Sequence, residues 1–156
     1  MSRPLIAIFV GLLLIGCAAT NPPATAPRTL IQVRGASHTA FDSAIEMKLP
    51  DLPVPVFVNM TAAPILTEND FVNAWVTKDN FGNRAVGLQL SDEAGHRLIN
   101  YTSQHIEKPL AIFIDSQLHS ATTVASALRD QVIITGGRSG LSEEQAQKII
   151  SAVRSK

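Results

Sequence analysis

The lone cysteine of this 156-residue chain stands where its thiol has a defined chemistry. Arg3 precedes an almost unbroken apolar run from Leu5 to Ile15, which closes in Leu14-Ile15-Gly16-Cys17. Such a run is too short to span a bilayer as a helix and matches the apolar core of a signal sequence. A small residue followed by Cys at the end of that core resembles the lipobox read by lipoprotein signal peptidase. The resemblance implies cleavage before Cys17, diacylglycerol on its sulfur and acylation of the new amino group. Residues 1–16 are thus expected to be a lipoprotein signal peptide, and the membrane becomes a partner through lipid on Cys17. Ala18, where an Asp would favour retention at the inner membrane, points to the outer membrane and its periplasmic side. Two or three acyl chains hold a protein stably where one does not.

The remaining chemistry-bearing residues form no complete set. Glu93 and His96 have the i, i+3 spacing of carboxylate-bridged metal sites, but such sites need two such pairs with further carboxylates, so a solvated helix face is expected. His38, His105 and His119 fall on different elements. His119 and Ser120 are adjacent in a predicted strand, which would send their side chains to opposite faces and against a Ser–His pair. Gly136-Gly137-Arg138-Ser139-Gly140 lacks the Lys-Ser/Thr of a phosphate-binding loop, and Glu143 and Glu144 would repel an anion at the following helix start. No catalytic residues, no metal site and no cofactor are therefore expected, and the chain reads as a non-enzyme. Trp75, the lone tryptophan, would face away from a core containing Ala74 and Val76. It is either covered by another element or a candidate partner contact.

Composition agrees with a tethered globular domain. Without residues 1–16, the chain keeps 12 Lys and Arg against 13 Asp and Glu, a net charge near −1. No basic run marks a nucleic-acid footprint. With Cys17 acylated, no thiol remains for an internal disulfide or a thiolate zinc site. Residues 17–28 are small, polar and Pro-rich, a semi-extended tether of about 30 Å at ~3.1 Å per residue. The folded domain is expected over 29–156.

Within it, alternating and continuous apolar runs predict strands near 30–35, 44–49 and 56–58. Thr67 is the expected N-cap of a short helix at 67–70. Ala74–Lys78 and Arg84–Leu90 flank Asp79-Asn80-Phe81-Gly82-Asn83 as a hairpin, with Val86, Leu88 and Leu90 on one face. Ser91 starts a helix to about Ile106, its stripe being Ala94, Leu98, Tyr101 and Ile106. Leu110–Ile114 is apolar on both faces, as a central strand is, and Asp115-Ser116 turns into Gln117–Ala121. A further strand covers Val132–Thr135. Ser142 and Gln145 form a capping box for a last helix whose core face is Ala146, Ile149, Ile150 and Val153. The expected fold class is α+β, a mainly antiparallel sheet of four to six strands with two main helices on one face.

Several segments in this order carry a resemblance. They are Pro64–Asp70, Val86–Gly95, Thr102, Pro109–Asp115, His119-Ser120-Ala121 and Ile133–Gly137, with Leu30–Arg34 and Val56–Val58 as looser matches. Together they resemble the head of the first periplasmic domain of SecD, a protein-export subunit. The family usually has Asp-Gly at Asp115-Ser116 and Ser-Ala-Pro at Ser120-Ala121-Thr122. The resemblance implies the fold and a capacity to bind polypeptide. Proton-driven translocation is not expected, because no second segment is apolar enough to carry a proton path through a membrane. The function implied is a membrane-anchored periplasmic binding or assembly module of the cell envelope, its partner a polypeptide or another envelope protein. The alternatives are a small envelope enzyme and a structural accessory subunit.

Overall fold

A computed structural model describes residues 30–50 and 54–155. The signal peptide expected at 1–16, Cys17 and the tether expected at 17–28 lie outside the described residues. The chain runs β1 (Ile31–Ser37), β2 (Ile45–Met47), β3 (Val56–Val58), β4 (Leu66–Thr67), a 3-10 turn at Glu68–Asp70, β5 (Phe71–Lys78) and β6 (Arg84–Leu90). Then come α1 (Asp92–Gln104), β7 (Pro109–Ile114), β8 (Gln117–Thr123), β9 (Gln131–Thr135), a second 3-10 turn at Gly137–Ser139, and α2 (Glu143–Arg154).

Every strand pairing is antiparallel, and the strands divide between two sheets. The larger has the order β2-β3-β1-β7-β8, with β4 also on β1; the smaller is β5-β6-β9. β7 is central because it is apolar on both faces. Leu110 and Ile112 enter the main core, while Ala111 and Phe113 enter a second core with Ala36, Val56 and Val58.

The main core joins the larger sheet to the inner face of the smaller one. Val86, Leu88 and Leu90 alternate into it from β6, as do Val132 and Ile134 from β9. β9 is an edge strand and β7 a central one, so Val132 and Ile112 reach the same core from different positions. Both helices cover this inner face. Ala94 and Leu98 descend from α1, and Ala146, Ile149, Ile150 and Val153 from α2.

The helix ends follow local chemistry. Ser91 Oγ accepts from the Ala94 N–H, and Ser142 with Gln145 makes the reciprocal capping box. Helix α1 stops at Gln104, short of Ile106, and Ile106 is exposed. The His105 N–H turns back to the Thr102 carbonyl, and the ring stacks on Tyr101 at a 3.9 Å centroid separation. Among the described residues, no helix is long and apolar enough to cross a membrane.

Candidate functional site

A cavity of about 890 Å³ opens where the free edge of β8 approaches the C-terminal end of β9. Ser120, Ala121 and Thr122 form one wall, and Thr135, Gly136, Gly137 and Arg138 the other. The tip of the β5–β6 hairpin, with Phe81, and the Leu49-Pro50 segment form the rim. That volume falls in the range of ligand pockets.

Each wall has a local cause. The hairpin tip is held by Asp79, whose Oδ1 accepts from the Phe81 N–H at 2.8 Å and the Asn83 N–H at 2.9 Å. Desolvation pushes the Asp79 carboxyl up, but the main-chain donors of Asn83, Phe81 and Gly82 and the Asn83 amide outweigh it and hold it below the usual carboxylate range. Asn83 Nδ2 also donates to the Arg138 carbonyl, tying the tip to the loop after β9. Phe81 is left 88% exposed at the mouth. Gly82 and Gly137 adopt φ of +84° and +65°, a region that glycine enters freely.

The β7–β8 ladder slips between Ile112/Ser120 and Phe113/Leu118, which makes His119 the extra residue of a β-bulge. The bulge overturns the expectation from strand alternation: His119 and Ser120 line the same cavity. They are not joined, since His119 Nε2 and Ser120 Oγ are each buried without a hydrogen-bond partner. The His119 ring and Thr135 both line the cavity. Burial pushes its imidazole below the usual histidine range, and the Thr135 hydrogen bond opposes that shift. A smaller hollow on the other side of His119 is lined by Gln145, Lys148 and Asp115.

The free edges differ in how they are finished. Val124 donates its N–H to the Lys108 carbonyl at 2.9 Å. Antiparallel alternation along β7 and β8 then turns the main-chain groups of Ala121 and Thr123 away from β7. Nothing among the described residues pairs with them there. On β9, Leu90 donates to the Asp130 carbonyl, and the same alternation sends the main chain of Ile133 and Thr135 outward. At Ala74 the edge of β5 is finished in the opposite way. The Ala74 N–H donates to Asn73 Oδ1 at 2.9 Å, and its carbonyl accepts from Arg154 at 3.3 Å. A long edge strand is a template for unwanted pairing, and side-chain plugs of this kind blunt it.

Trp75 lies on the outer face of the smaller sheet, in a row with Gly87 and Ile133. The indole rests on Gly87, where a Cβ would stand 2.5 Å from its Cε2. Trp75 is half-buried there, and Ile133 beside it is exposed. The other singled-out residues stay apart. Glu93 pairs with Arg97 rather than His96, and Arg97 also reaches Asp70. His38 is exposed and faces the Pro55 carbonyl, and His105 Nδ1 lies 2.7 Å from the Tyr101 carbonyl.

Comparison with known proteins places this geometry. The family model of the SecDF P1 head subdomain matches residues 44–155. The protein translocase subunit SecD of Aquifex aeolicus is 39% identical over 74 residues, covering 47% of this chain and 15% of that protein. The protein translocase subunit SecDF of Thermus thermophilus is 34% identical over 96 residues, covering 59% and 12%. The chain thus spans about a seventh of the length of these relatives. A solved structure of SecDF, described as a membrane component that enhances protein export, aligns at a TM-score of 0.61 and 23% identity. It covers 82% of this chain and 63% of that one. SecDF in a super-membrane-facing form aligns at 0.62 and 24%, covering 82% and 19%. The antiparallel α+β domain that builds the cleft between β8 and β9 belongs to the SecDF P1 head family.

Proposed function

We propose that this chain is a membrane-anchored periplasmic module that holds polypeptide in extended form, without chemistry on it. One observation carries the reading: β5 is plugged at Ala74 by Asn73 and Arg154, whereas β8 presents the unpaired main chain of Ala121 and Thr123 beside a cavity. A segment added to β8 gains main-chain hydrogen bonds that need no particular side chains. The cavity supplies apolar surface at Leu49, Pro50 and Phe81 for alternate side chains. Relatives that are translocase subunits support a polypeptide as the occupant. Lipid on Cys17 would fix the domain to a leaflet, with Ala18 favouring the outer membrane, and the tether would let it reach its partner.

The test is site-specific photocrosslinking from Thr122, and from Val72 beside the plugged Ala74 on β5 as control, in native envelopes. The reading expects polypeptide adducts at Thr122 and few at the control position. Equal adducts at both positions, or none at Thr122, overturn it.

A second reading, a small envelope hydrolase, draws on the bulge that brings His119 and Ser120 to one cavity. Turnover of a peptide or ester by the purified chain, abolished in Ser120→Ala, would replace binding with catalysis.

A further inference from the structure

The outer face of the smaller sheet differs in character from the cleft. Strand pairing sets its side chains in cross-strand rows, about 6.8 Å apart at two residues per step. The middle row is Trp75, Gly87 and Ile133. On one side lies the row of Asn73, Gln89 and Gln131, and on the other that of Thr77, Ala85 and Thr135. We propose that this face is a carbohydrate site, at which Trp75 stacks on a sugar ring and the amides of Gln89 and Gln131 bind the ring's substituents. The ligand class is a neutral, β-linked glycan of N-acetylated sugars. The inference goes beyond the polypeptide reading and does not depend on it.

Three features carry it. First, the indole has a built seat. It rests on Gly87, where any Cβ would come within 2.5 Å of the ring, and it stays partly open to solvent. A pyranose with equatorial substituents presents axial C–H groups from its ring face. Their partial positive charge is what the negative face of an indole attracts. Second, Gln89 and Gln131 are cross-strand neighbours, and both are exposed. Among the described residues, neither side-chain amide has a hydrogen-bond partner. A primary amide offers two donors and a carbonyl acceptor, which match hydroxyl and acetamido groups. Ile133, 44% exposed beside the ring, gives an acetamido methyl an apolar contact. Third, no side chain in these rows is charged. Neighbouring charge alternates to the other side of the sheet, where Arg84 pairs with Glu143 of α2.

The same pattern disfavours other occupants. An anionic membrane surface would call for Lys or Arg on this face. A second copy of the chain would need a broader apolar centre than Trp75 and Ile133 provide. Extended polypeptide gains its affinity from main-chain groups at a strand edge, and this face presents side chains.

Trp75 is the lone tryptophan, so its emission reports the site directly. The experiment titrates the full chain, in a detergent without a sugar headgroup, with a β-linked N-acetylglucosamine oligomer. Tryptophan emission and isothermal calorimetry are read in parallel. The proposal expects a saturable blue shift with matching heat. By calorimetry, Trp75→Ala should bind about 10-fold more weakly or worse. Gln131→Ala should lose about 2- to 10-fold, the exchange value of one hydrogen bond. Gln131 is exposed, so that variant tests the site whether or not Trp75→Ala folds, circular dichroism being the check. His96→Ala, on the exposed side of α1, should bind as wild type does. No saturable response to the oligomer overturns the proposal. So does an affinity unchanged in Gln131→Ala, or lowered equally in His96→Ala. An emission shift with a reduced and alkylated unfolded protein but not with the oligomer assigns the face to polypeptide instead. A shift on raising the protein concentration alone, without one on adding sugar, assigns it to self-association. Either result overturns the carbohydrate site and leaves the reading of the β8 edge to its own test.

Discussion

The indole of Trp75 lies against Gly87 across the β5–β6 ladder, and only the missing side chain of Gly87 makes room for it. The pair makes the outer face of the smaller sheet flat and half-apolar, continuing through Ile133 on β9. Gly87→Ala places a methyl inside the ring's contact distance and should cost about 1–3 kcal/mol, as overpacking does. Urea denaturation would measure the loss, and a red shift in tryptophan emission would report that the indole has been lifted into water. An unchanged midpoint and spectrum would contradict the packing.

Trp75→Ala asks a different question of the same face. The ring is half-buried on the outer side of the sheet, so the domain should keep its circular dichroism spectrum. If the Trp75 face continues the binding surface, capture of unfolded polypeptide should fall several-fold. Full retention would confine the binding surface to the β8 edge.

Ile112 and Ile149 meet in the main core from β7 and α2, both nearly without solvent contact. Truncation of either to Ala should cost about 2–5 kcal/mol, against a typical domain total of ~5–15. Losses below half a kcal/mol at both sites in urea titrations would refute the assigned faces.

Asp115 and Ser116 make the β7–β8 turn with φ of +50° and +66°. A non-glycine residue in that region carries a steric penalty of roughly 1–2 kcal/mol, partly offset by the chain entropy that glycine loses on folding. Ser116→Gly should therefore raise stability by up to about 1 kcal/mol, read as a higher urea midpoint with an unchanged slope.

The Asp115 carboxyl is held below the usual carboxylate range, chiefly by hydrogen bonding to Lys148, against a small burial effect, with further help from the Leu30 N–H and the Lys148 charge. A depressed folded-state value adds stability that is present above the unfolded value near 3.8 and is lost as pH falls through the folded value. Lys148→Ala should shrink the stability difference between neutral and acidic pH. Parallel urea titrations of the variant and wild type at both pH values would show it, and superimposable pH profiles would exclude the linkage.

Cys17 alone can accept lipid, so Cys17→Ser should leave the chain unlabelled by radioactive fatty acid and free of the membrane fraction. Label and sedimentation retained in the Ser variant would refute the anchor.

Much of this domain is legible in its residues because the causes are local. The capping box of Ser142 and Gln145, the Ser91 cap, the Asp79–Asn83 hairpin tip and the two-sided apolar run at Leu110–Ile114 each depend on neighbours a few positions away. Periodicity alone places Ala94, Leu98, Ile149 and Ile150 in the core, and the helices form as read except that α1 ends before Ile106. The order of these segments was enough to point to the SecD head. The site was less legible. Strand alternation separates His119 from Ser120, and nothing in the residues announces the one-residue slip that brings both to the same cavity. That slip depends on which strand β8 pairs with and in what register. The division into two sheets, the plug that Arg154 places on Ala74 80 positions away, and the bare edge of β8 have the same origin. A sequence determines its local propensities and its apolar faces. Which edges remain unpaired is settled only when distant strands choose their neighbours, because each main-chain hydrogen bond made on one side of a strand leaves the other side open.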